Sequence, residues 1–129
     1  MPTLDTNVLL RWLLDDIAEQ TAAADALIAS GARCTVPDAA LIETVYVLEK
    51  VLRLSRRTVV ESIASIFAAA NVELDRAVWR AALDDYLAHP KLSISDTFLC
   101  AQARDTQQLP LVTFDRKLAR QLEGATLLS

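Results

Sequence analysis

No two of the short apolar runs in this chain are joined by a hairpin turn. Each gives way instead to a helical stretch. The runs fall at residues 1–4, 33–36, 72–74, 109–114 and 125–128, and helical patterns fill the intervals. Strands that alternate with helices in this way pair in parallel, with the helices covering the sheet on both faces. Only two glycines and four prolines punctuate the 129 residues, so helix dominates and the connections are short. The predicted fold is α/β, one three-layer domain spanning residues 1–129.

Local signals place the helices. Residues 6–14 read as a buried helix. The stretch 17–30 puts Ala24, Leu27 and Ile28 on one face, and Gly31 closes it. Asp38, Ser55 and Asp75 are in N-cap positions for helices over 38–53, over 56–70 and from Asp75 to just before Pro90. The helix over 38–53 is apolar nearly all round, which predicts full burial. Residues 91–95 read as loop, Asp96 opens a further helix, and 116–122 forms a short one. Trp12, Trp79, Tyr86 and the three phenylalanines lie at helical spacings and are predicted core residues.

Charge and composition remove several functions. Thirteen Lys and Arg against seventeen Asp and Glu give a net charge of -4, which argues against a general electrostatic grip on nucleic acid. The longest charge-free stretch, residues 62–72, is shorter than the ~18 to 20 residues of a membrane-spanning helix. The N-terminus carries Asp5 where a signal peptide would be basic. Cys34 and Cys100 stand in no metal-ligand spacing and read as reduced thiols of a cytoplasmic protein. The single histidine, His89, excludes two-histidine ribonuclease chemistry and a His-rich zinc site. A mean hydropathy of +0.26 predicts that a partner chain covers some apolar surface.

Four acids occupy unusual places. Asp5 and Asp115 each follow an apolar run and precede a helix, which in a parallel sheet puts both at the strand ends where ligand crevices form. Asp96 begins a helix, and Glu43 lies within the apolar run Ala39-Ala40-Leu41-Ile42-Glu43-Thr44-Val45. Each has a plainer reading. Asp5 and Asp115 can serve as N-caps, and Ser93 with Asp96 matches a capping box. Glu43 resists that treatment, because a lone carboxylate among apolar neighbours is costly to bury. Taken jointly, the four predict a metal site. Two like charges ~4 Å apart repel by about 4 kcal/mol at an effective dielectric of 20, so clustered carboxylates require a cation. All-oxygen ligation suits Mg²⁺ or Mn²⁺, ions that activate water for attack on a phosphodiester.

These same residues resemble PIN domains. The likeness runs through Asp5-Thr6-Asn7-Val8-Leu9-Leu10, Leu41-Ile42-Glu43-Thr44-Val45-Tyr46-Val47-Leu48-Glu49, Ser95-Asp96-Thr97-Phe98-Leu99 and Thr113-Phe114-Asp115-Arg116-Lys117-Leu118. Size and order are similar to the VapC-type toxins of VapBC toxin–antitoxin modules. The resemblance implies a four- or five-stranded parallel sheet and a metal-dependent endoribonuclease of structured RNA, notably transfer or ribosomal RNA. By that likeness Asp5, Asp96 and Asp115 would hold the metal, and Glu43 would bind a second ion or help orient water. Asn7 and Thr113 match supporting polar positions that would hydrogen-bond the carboxylates. The resemblance further implies a homodimer silenced by a small VapB-like antitoxin. The chain departs from the pattern at Pro2, which lacks the N–H of a central strand, so the first strand is short or begins late.

Arg116, Lys117 and Arg120 lie just beyond Asp115, where they read either as RNA-phosphate contacts or as a solvated helix face. Arg11 could reach RNA or an acidic neighbour. Surplus apolar area on 38–53 and 59–70 is the candidate dimer or antitoxin surface. Two other classes compete with the nuclease. A phosphoacceptor receiver domain, with Asp75 and Lys117 in its key places, leaves Glu43 unexplained. A non-catalytic PIN-like binding module for RNA or protein is the alternative that the intact set of four acids argues against.

Overall fold

The computed structural model describes residues 1–128, which divide into two units, 1–74 and 75 onward. In the first unit, α1 covers Thr6–Leu14 with Asp5 as its N-cap, and it ends at Asp15 in a left-handed conformation. The second helix, α2 (Ala18–Ala29), begins without a side-chain cap. Its entry is held by Arg11, which reaches across the connection to Asp16 and Gln20, and by the buried Thr21 hydroxyl, which donates to the Arg11 carbonyl at 2.9 Å. Beyond α2 the chain turns at Gly31, whose φ of 78° is the glycine-favouring conformation expected of a C-terminal cap.

The strands of this unit are very short. β1 (Cys34–Thr35) pairs in parallel with β2 (Val72–Glu73) on one side. On its other side it makes a parallel bridge to Thr3, with Leu4 N–H donating to the Thr35 carbonyl and Thr35 N–H to the Pro2 carbonyl. Pro2 thus contributes only its acceptor, and ordered pairing begins at Thr3, as the missing N–H requires. Asn71 ties α2 to the head of β2: its amide donates to the carbonyls of both Ile28 and Ala32 at 2.9 Å.

The helix predicted over 38–53 is α3 (Asp38–Tyr46) followed by a π-helical turn, Val47–Val51. Its N-cap is Pro37, not Asp38, because the extended backbone of Pro37 already makes the entry and leaves Asp38 inside the first turn. Full burial is also corrected. Leu41, Thr44, Val45 and Leu48 are buried, but Tyr46 (57% exposed), Val51 (60%) and Leu52 face solvent. The buried Thr44 hydroxyl is satisfied by the Ala40 carbonyl at 2.7 Å. Then α4 (Arg56–Phe67) begins on its predicted cap, Ser55, and buries Val59, Ile63, Ile66 and Phe67. Arg56 bonds Glu49 at 3.0 Å.

In the second unit, Asp75 caps α5 (Arg76–Ala88), which buries Val78, Trp79, Ala82, Leu83 and Tyr86 along one stripe. It packs on α6 (Ile94–Asp105), where Trp79 and Phe98 stack with ring centroids 4.5 Å apart. The start of α6 lies two residues before the predicted position: Ser93 is the cap, and Asp96 lies within the first turn. A parallel βαβ unit completes the chain. β3 (Leu111–Thr113) and β4 (Ala125–Leu127) pair in register across α7 (Arg116–Gln121). Leu92, Cys100, Leu118 and Leu122 form the small core beneath it. The parallel pairing and the alternation of helix and strand are those predicted, while the ladders run only two or three residues. Hydrogen bonding groups the strands as two pairs, β1–β2 and β3–β4.

Candidate functional site

In the first unit the site is built on the turn from Leu4 into α1. Pairing with β1 fixes the chain up to Leu4, which is buried, and Asp5 then leaves the strand direction as a helix cap. Its Oδ1 accepts from Val8 N–H at 3.0 Å. The plainer reading of Asp5 as a cap therefore holds, and it does not exhaust the residue: a carboxylate has two oxygens and roughly four acceptor sites. The N-terminus of α1 also favours negative charge there.

Glu43 comes to this turn from α3. The Thr6 hydroxyl, one residue past Asp5, donates to Glu43 Oε2 at 3.2 Å and lies 3.5 Å from the Ala40 carbonyl. The argument that Glu43 is a buried, unmet carboxylate is overturned: its side chain is exposed, on the outward flank of a helix whose other side packs inward. What singles it out is its bond to the Asp5 turn. Sequence reasoning passed over Thr6 in favour of Asn7. Among the described residues the Asn7 side chain bonds neither acid, and Thr6 supplies the hydroxyl. The available signal was a threonine at the first helical position, whose side chain lies close to the cap.

A cavity of about 390 Å³ opens beside Asp5 between α1 and α2, bordered by Asn7, Val8, Arg11, Gln20 and Leu27. Arg11 is the acidic-neighbour case of its two predicted readings. Its guanidinium holds both oxygens of Asp16 at 2.7 Å and Gln20 at 2.9 Å, so its charge at the cavity wall is largely matched.

The second unit repeats the strand–acid–helix arrangement. Asp115 ends β3 and caps α7, Oδ1 accepting from Lys117 N–H at 2.9 Å and Leu118 N–H at 3.2 Å. Thr113 does not reach that carboxylate. Its hydroxyl accepts from the Asp115 backbone N–H at 2.9 Å and so fixes the turn rather than the acid. Asp96 is half-buried in the first turn of α6, its own N–H held by Ser93 at 3.2 Å. Because Ser93 does the capping, the Asp96 side chain is not spent on that task. Arg116, Lys117 and Arg120 are all exposed, and none takes part in the ion pairs among the described residues.

The donor chemistry of the four acids fits a hard divalent cation, all oxygen with no sulfur or imidazole. Asp5 and Asp115 each engage Oδ1 in a cap and keep a second oxygen for a ligand. Among the described residues, however, no group of three or more His, Cys, Asp and Glu side chains stands close enough together to hold a metal ion. Away from these acids, burial pushes the Cys100 thiol up, with Arg104 opposing this and Asp85 adding to it. Among the described residues no helix is long and apolar enough to cross a membrane.

The family model for the PIN domain matches residues 3–122. No curated protein matches the chain.

Proposed function

The chain belongs to the PIN-domain family, whose members are typically metal-dependent nucleases, and on that premise we propose that it is an endoribonuclease acting as the toxin of a type II toxin–antitoxin pair. The observation that carries the nuclease reading is the bond from Thr6 to Glu43. It joins an acid of α3 to the residue that follows Asp5, 37 positions away in sequence. The match extends across both units, which supports one nuclease domain over residues 1–129.

In this reading Asp5, Asp96 and Asp115 would hold Mg²⁺ or Mn²⁺, and Glu43 would assist them. The bound ion supplies a Lewis acid and a lowered pKa for the attacking water. The chain's own residues supply position. The helix caps fix one oxygen of Asp5 and of Asp115, so each second oxygen has a defined direction. Thr6 holds one oxygen of Glu43, leaving the other to orient water. Arg116, Lys117 and Arg120 meet the phosphates of the RNA beside Asp115.

The substrate proposed is a structured RNA, a transfer or ribosomal RNA, cut in an unpaired loop where bases and backbone are accessible. The chain acts in the cytoplasm as a homodimer and is silenced by a small VapB-like antitoxin. Exposed Tyr46, Val51 and Leu52 support a protein partner on the α3 side. Induced expression followed by sequencing of RNA ends tests the whole reading. A single dominant new end in a transfer or ribosomal RNA, with growth arrest, is the expected result. Arrest without new RNA ends would contradict it.

A further inference from the structure

Phe114 was expected in the core and is instead 76% exposed, more than any other large apolar side chain among the described residues. The ring is not exposed because its segment is loose. On one side the Thr113 carbonyl accepts from Leu128 N–H at 2.8 Å, extending the β3–β4 ladder. On the other side the Thr113 hydroxyl accepts from Asp115 N–H at 2.9 Å, closing a tight turn around Phe114. The backbone is thus fixed, and the aromatic is presented outward next to an acid proposed as catalytic. Val112, two residues back in β3, is 53% exposed and adds a second apolar side chain.

The surroundings select the occupant. In a chain of net charge -4, residues 115–122 carry Arg116, Lys117 and Arg120 against Asp115. All three cations are exposed. An exposed aromatic on a held backbone, followed by clustered cations, is complementary to unpaired nucleotides, whose bases stack while their phosphates take the charge. We propose that Phe114 is a base-stacking platform, seating an unpaired nucleotide of the RNA next to the phosphate at Asp115. This deepens the nuclease reading and rests on it. Phe114 is a positioning residue: it sets which nucleotide lies at the site and does no chemistry.

The test measures binding of a short fluorescein-labelled single-stranded RNA of mixed sequence to the full chain carrying Asp96→Asn, so that the RNA stays intact. A matching strand with abasic positions serves as the control. Adding Phe114→Ala is expected to weaken binding of the base-bearing RNA by about 5- to 150-fold, the worth of one stacked base. The dependence of affinity on salt should not change, since the phosphate contacts remain. Phe114→Trp should restore affinity, with its fluorescence quenched by the base-bearing strand and not by the abasic one. Equal affinity of Phe114→Ala and its parent, in a chain whose wild type cleaves RNA, overturns the stacking role alone. A change in molar mass by light scattering, with RNA binding unaltered, overturns it in favour of contact with a second copy. If the parent binds no RNA and the wild type cleaves none, the nuclease reading fails and the platform with it.

Discussion

The Thr6 hydroxyl lies 3.2 Å from Glu43 Oε2, joining the first residue of α1 to the exposed acid of α3. Through that bond the turn holding Asp5 and the side chain of Glu43 keep a fixed relation, although neither acid is buried. A hydrogen bond to a charged group contributes about 1.5–3 kcal/mol, with exposure favouring the lower end.

Thr6→Val removes that hydroxyl while keeping the branched shape. Steady-state cleavage of RNA is expected to show kcat lowered about tenfold, one step of roughly 1.4 kcal/mol, with KM little changed. Thr6→Ser should retain activity. Equal kcat for Thr6→Val and wild type would mean that the position of Glu43 does not matter to the reaction.

Asn71 makes two bonds that no local pattern announces, to Ile28 and Ala32 at the end of α2. Asn71→Ala removes two bonds of about 0.5–1.5 kcal/mol each, the Ile28 carbonyl keeping the Gly31 N–H at 3.2 Å, and should cost about 1–3 kcal/mol of stability. Urea unfolding followed by circular dichroism reads this as a lowered midpoint at unchanged slope.

Cys100 is buried, and its thiol is pushed above the ordinary 9.0 chiefly by that burial. A raised folded-state value means the unfolded chain loses this proton first. The contribution of the group is therefore complete below about pH 9 and declines as pH rises through the folded value. Thermal unfolding across alkaline pH should show a steeper loss of stability for wild type than for Cys100→Ala. Native protein should react with thiol reagents only as it unfolds, since Cys34 is buried as well.

Where a boundary was set by neighbours in sequence, it was legible. The bounds of the helix over 6–14, the Ser55 and Asp75 caps and the turn at Gly31 stand as read, because caps and periodicity act within a few residues, while the burial expected of that helix is limited to Leu9 and Leu10. The errors share a different cause. Helical spacing places Phe114 in the core and an all-round apolar pattern buries 38–53, but neither signal tells which side of an element meets solvent. Thr6 and Asn71 were passed over because their partners lie 37 and 43 residues away. Strand lengths of two or three residues likewise depend on non-local pairing. Burial does not single out Glu43, whose side chain is exposed; what marks it is its bond to Thr6, a contact between elements that no local pattern announces.

The central claim is that Asp5, Glu43, Asp96 and Asp115 act together through a divalent ion to cut RNA. Cleavage of total RNA by the purified chain, with Mn²⁺ or Mg²⁺ and then with excess EDTA, measures it most directly beside Asp5→Asn and Asp96→Asn. The account predicts cleavage that EDTA abolishes and added metal restores, with both variants inactive yet folded by circular dichroism. Undiminished cleavage in EDTA, or wild-type cleavage by either variant, would contradict it.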